Sequence, residues 1–162
     1  VFLEEGDNID GIIERTSFDE VWKVVNAMSN QDERLSIIIS ELRTMQGQGV
    51  VGTAEWNDAM KEFEEKISFI NMPLKFTQQQ FEKKLYTKII TVSGKSWDFW
   101  YGLTLRYKNE HGDANCSRTT EINGYKLGSW QSNQRKTFRG YGRGKLSKDR
   151  IKKLEKIGFI FD

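Results

Sequence analysis

A single proline, Pro73, interrupts 162 residues. On either side of it, apolar residues recur at intervals of three and four behind residues that start helices. This combination constrains the fold more than any other feature, because proline breaks helix interiors and a chain that avoids it can run in helices. Ser17, with Glu20 three residues on, forms a capping box, and Phe18, Val21, Trp22, Val25 and Met28 follow at helical spacing. A second helix begins near Asn30, with Leu35, Ile38, Ile39 and Leu42 along one stripe. The glycine-rich GQGVVG breaks it. Thr53 caps a third helix, on which Trp56, Met60, Phe63 and Ile67 share one face and Asp58, Glu62, Glu64 and Glu65 the other. Pro73 marks a linker. Thr77 opens a further helix through Phe81, Leu85, Ile89 and Val92, ended by Gly94. The apolar start VFLEE, stopped at Gly6, reads as a short edge strand.

Three more helices are expected after Gly94. The first is capped by Ser96, carries Trp97, Trp100, Tyr101, Thr104 and Tyr107 on one stripe, and ends at Gly112. A polar loop follows, with Asn123-Gly124 as its turn signal. The second helix covers roughly Gly128 to Arg139. At 100° per residue Trp130, Gln134, Thr137 and Phe138 fall on one side, and Ser132, Arg135, Lys136 and Arg139 on the other. After GYGRG, Ser147 caps the third. Leu146 and Ile151 make a hydrophobic staple, and Ile151, Leu154 and Ile157 form the inner stripe. Gly158 fits the left-handed C′ position, with Phe159 folding back. The fold class is therefore mainly all-α: a helical segment over 1–72, a linker helix over 73–95 and a three-helix bundle over 96–162.

Charge is segregated along this plan. Before Ser96, sixteen acidic residues outnumber eleven basic ones, a net −5. From Ser96 onward, fourteen basic residues stand against seven acidic, a net +7. Such asymmetry points to a polyanionic partner for the basic part, although a solvated basic face gives the same composition. Arg135, Lys136 and Arg139 share a helix face, Arg143 and Lys145 sit in the glycine-rich turn, and Lys148 and Lys152 are one turn apart at the start of the last helix. These seven are placed to contact phosphates. Tyr141, between Gly140 and Gly142, is placed to stack on a base.

Catalytic constellations are missing. There is no G-x-x-x-x-G-K-[ST] phosphate loop, and GQGVVG lacks the lysine. One histidine and one cysteine do not make a zinc site of the usual kind. His111 reads as a helix-end residue, and Cys116 has no nucleophile signature. Trp22, Trp56, Trp97, Trp100 and Trp130 all fit core stripes. The lone Cys116 forms no internal disulfide. Together with the lack of a signal peptide it leads us to expect a reducing, cytoplasmic setting. No apolar run reaches the ~20 residues that span a bilayer, so no membrane partner is expected. The chain starts with Val1, and we read it as a piece of a longer protein.

From Ser96, a series of residues falls into a recognisable order: Trp97, Trp100, Tyr107, His111-Gly112, Gly124, Leu127-Gly128, Trp130, Gln134-Arg135, Gly144, Leu146, Arg150, Leu154-Glu155, Gly158-Phe159 and Asp162. In this order the stretch resembles a helicase-associated domain, departing from the family's pattern at Asn115-Cys116, where a Val-Pro is usual, and at Phe161, where a Trp is usual. SFDEVWKVVNAMSNQDERL resembles the segment that follows the second RecA-like domain of bacterial superfamily-two helicases. The resemblance implies a non-catalytic, nucleic-acid-binding module, with DNA favoured over RNA. It also implies a motor domain in the same chain whose ATPase motifs lie upstream. No cofactor is expected in this fragment; ATP and magnesium belong to the motor. The competing expectation is a protein-docking module, whose basic face packs on the helicase core or an acidic partner.

Overall fold

The computed structural model describes Lys23, residues 25–68 and residues 96–162. The expected strand at VFLEE, the Ser17 capping box, Trp22, the Pro73 linker and the helix opened by Thr77 lie outside the described residues. Within them the chain is mainly helical, with a helical stretch over 25–29 and five longer helices. These are α1 (Glu33–Gln48), α2 (Ala54–Ser68), α3 (Trp97–His111), α4 (Leu127–Phe138) and α5 (Lys148–Lys156). No strand forms among the described residues. One isolated antiparallel bridge, Ile122 to Tyr125, closes a turn in which Asn123 and Gly124 both take positive φ (50° and 80°), as the Asn-Gly signal requires.

The start of α1 is set by Asp32, whose carboxylate accepts the Leu35 N–H at 3.0 Å. That bond, helped by Lys66 at 3.3 Å, holds the Asp32 carboxyl below its ordinary range. Because Lys66 sits in the last turn of α2, and Arg34 grips Glu62 with two bonds of 2.6 and 2.5 Å, α1 and α2 lie antiparallel. Between them, Leu35, Ile38, Ile39 and Leu42 meet Trp56, Met60, Phe63 and Ile67, with Val25 completing a dry core. Thr53 caps α2 through Trp56 N–H at 3.3 Å. GQGVVG does not break α1 at its first glycine. The helix continues through Gly47 and turns at Gly49, where φ is 76°.

Gly47 stays helical because of what lies against it. A Cβ there would overlap the Phe99 carbonyl, and one at Gly102 would overlap the Thr44 carbonyl. The two glycines thus let the backbones of α1 and α3 touch. This explains why α3 is apolar on more than one side: Phe99, Gly102, Leu103 and Thr104 are all buried.

The remaining sides of α3 build the C-terminal core. Trp97, Tyr101 and Leu105 pack on Leu154, Ile157, Phe159 and Phe161, while Phe99 and Leu103 pack on Leu127. Trp130 touches both groups, stacked on Trp100 at 6.1 Å and tilted against Trp97 at 6.1 Å. Ser96 caps α3 through Phe99 N–H, and Gly112 ends it with φ 78°. Ser147 caps α5 through Arg150 N–H at 3.3 Å. Gly158 and Phe159 close α5, with N–H bonds to Glu155 (2.9 Å) and Leu154 (3.0 Å). The nine residues of α5 leave few internal bonds to replace a lost cap. Ser147→Ala should cost about 1 kcal/mol, read as a lowered urea midpoint with an unchanged denaturant slope.

Candidate nucleic-acid interface

On α4 the buried positions are Leu127, Gly128 and Gln131, and Arg135 continues the same i, i+4 row. This corrects the expected facing of the helix. Arg135 is not on the solvent side opposite the core, and Phe138, expected inside, is 45% exposed. Trp130 and Gln134 do face inward, and Gln134 accepts the Trp97 indole N–H at 3.0 Å. The buried row turned because the loop before α4 and the tail after α5 both lie along it, and their free backbone groups need polar partners.

Gln131, with 0% exposure, supplies the first set. Its Oε1 accepts Cys116 N–H at 3.1 Å and its Nε2 donates to the Ala114 carbonyl at 2.8 Å. Arg135 supplies the second. Its Nε donates to the Ile160 carbonyl at 2.7 Å and its Nη2 to Asn115 Oδ1 at 3.1 Å, while the guanidinium lies 4.5 Å from the centre of the Phe159 ring. Burial pushes the Arg135 guanidinium below its ordinary value. Asn115 also donates to Gly158 O and accepts from Ile160 N–H, so the departure at Asn115-Cys116 leaves a residue that ties loop to tail. One turn further, Arg139 donates to the Phe161 carbonyl at 3.0 Å while remaining exposed.

The other expected contacts stand in solvent. Lys136, Tyr141, Arg143, Lys145, Lys148 and Lys152 are all exposed. None of these five cations forms an ion pair among the described residues. They lie along the end of α4, the turn after it and the first half of α5. Two cations the sequence reading left out lie on the aromatic belt instead. Arg150 sits 5.0 Å over Trp97, and Lys153 sits 5.9 Å over both Trp97 and Tyr101 while approaching Asp98 at 4.0 Å. Their spacing of three on α5, toward a tryptophan-rich helix, is the signal that identifies them.

His111 accepts no catalytic geometry: its ring stacks on Tyr107 at 4.1 Å and its Nδ1 lies 3.0 Å from the Tyr107 carbonyl. Burial pushes the Cys116 thiol up, the opposite of an activated nucleophile. Among the described residues no group of metal-ligating side chains forms, and no helix is long and apolar enough to cross a membrane.

No curated protein and no solved structure matches the chain. A family model does, over the stretch that α3, α4, α5 and the enclosed tail occupy. Residues 94–162 match the family described as Helicase associated domain.

Proposed function

We propose that the domain is the non-catalytic, nucleic-acid-holding module of an ATP-dependent helicase, whose ATP- and magnesium-binding motor lies upstream in the same chain. The supporting observation is the division of labour among the basic residues. Arg135 and Arg139 are bonded to the tail, and Arg150 and Lys153 lie on rings. Lys136, Arg143, Lys145, Lys148 and Lys152 are left in solvent and form no ion pair among the described residues. Cations that neither stabilise the fold nor pair with acids are available to phosphates, and displacing condensed counterions drives such binding.

The docking alternative is less well supported. It requires the basic face to meet the helicase core or an acidic partner, of which the acidic part of this chain is one. The backbone contact between α1 and the domain is made through Gly102 of α3, and the α5 cation that shares a cleft with Glu41 of α1 is Lys153, which is not one of the five left in solvent. DNA is the favoured ligand on the family resemblance.

A titration of the whole chain against DNA and RNA at several salt concentrations tests the reading. With about five phosphates neutralised, log K should fall against log salt with a slope near −4. Lys145→Ala with Lys148→Ala should reduce that slope by about 2. A flat dependence, or an unchanged slope in the double variant, removes the proposal.

A further inference from the structure

We infer that the nucleic acid held by this domain is single-stranded, and that Tyr141 is a platform on which one of its bases stacks. The inference rests on the nucleic-acid reading above and deepens it.

Two turns of the same type close α4 and α5. In each, an aromatic residue just past a glycine returns its N–H to a carbonyl five residues back: Tyr141 to Lys136 at 2.9 Å and Phe159 to Leu154 at 3.0 Å. The glycines before them, Gly140 and Gly158, have φ of 84° and 83°. A side chain held in this position commonly folds back against the last turn of its helix. Phe159 is 4% exposed, but Tyr141 is 85% exposed. The same backbone device therefore buries one ring and displays the other.

The displayed ring stands on a fixed base. Gly140 N–H bonds to the Thr137 carbonyl at 3.1 Å. On the other side of Tyr141, Gly142 lies so close to Thr137 that a Cβ would overlap the threonine hydroxyl. With the backbone pinned on both sides, a ligand that stacks on Tyr141 orders only a side chain. Phe138, half-exposed and stacked on Phe161 at 4.3 Å, adds apolar surface at the end of α4.

Cations left in solvent flank the ring along the chain: Lys136 five residues before it, and Arg143 and Lys145 within four residues after it. Cations that track a sugar-phosphate chain, with an aromatic face between them, are the features that sequence-tolerant single-strand binders combine. A duplex gives its cations the same phosphates, but its bases already stack on one another. Only an unpaired base offers a free face to Tyr141.

Fluorescence anisotropy of the whole chain with labelled oligothymidine, and with a duplex of the same length, separates the possibilities. Tyr141→Ala should weaken oligothymidine binding about tenfold, with a much smaller effect on the duplex. Tyr141→Trp should restore or exceed the parent affinity. Thermal melting of each variant shows that the fold is intact, as expected for so exposed a side chain. Equal losses on both ligands overturn the inference. So does a Tyr141→Ala protein that binds oligothymidine as well as the parent while the Lys145 and Lys148 double variant binds it poorly. That second result leaves the nucleic-acid reading standing and removes Tyr141 from it. No binding of either strand by the parent chain removes both readings.

Discussion

Gly102→Ala should destabilise the chain by about 3 kcal/mol, although alanine is the better helix former by about 1 kcal/mol at an exposed site. The sign is set by the neighbour. The added methyl would overlap the Thr44 carbonyl, and the atoms it meets are backbone, which cannot rotate aside. The helices must separate, and separation opens gaps along Phe99 and Leu103, which are buried. Gly47→Ala acts on the same crossing, since its methyl would overlap the Phe99 carbonyl. The double variant should therefore cost less than the two single variants added together, because the first methyl has already parted the helices. Urea denaturation of the four proteins measures both the sign and the coupling. A Gly102→Ala protein more stable than the parent would show that α1 and α3 do not touch in solution.

Arg135→Ala should cost about 2–4 kcal/mol. The loss comes from acceptors left behind. The Ile160 carbonyl loses its donor, Asn115 Oδ1 loses one of two, and the Phe159 ring loses the cation over its face. Arg135→Lys should recover only part of this, because a single ammonium does not reach acceptors on two separate segments as a planar fork does. The readout is stability together with limited proteolysis near residues 158–162, where release of the tail exposes cleavable chain. Nucleic-acid affinity measured where the variant is still folded should change far less than stability does. A stable Arg135→Ala protein with lost affinity would instead place this arginine in the interface.

Much of this architecture was legible because its signals are local. Ser96, Ser147, Thr53, Gly112 and Gly158 act within a few residues of themselves, and each begins or ends a helix as its side chain or lack of one dictates. The stripe of Trp56, Met60, Phe63 and Ile67 was equally plain, since only one other layer covers it. What escaped was set by distant chain. Nothing near Gly47 in sequence tells that Phe99 will press against it, so a close-packing glycine resembled a helix stop. The facing of α4 was missed because its buried row holds Gln131 and Arg135, polar residues whose partners lie 15 to 25 positions away. An apolar-periodicity reading assigns such residues to solvent. Of the candidate interface, the exposure of the cations of the turn and of α5 was legible, while Arg135 was given to the wrong face.

The tail completes the core from the very end of the described chain. Phe159 and Phe161 are buried among rings contributed by residues some sixty positions earlier, and Arg135 and Arg139 hold the carbonyls between and beyond them. On the ribosome, Trp97 and Tyr101 are made first and lack the cover of Phe159 and Phe161 until the stretch around Phe161 has left the exit tunnel. The domain therefore closes all at once and late, and in the interval its nascent form offers a sticky aromatic surface to chaperones.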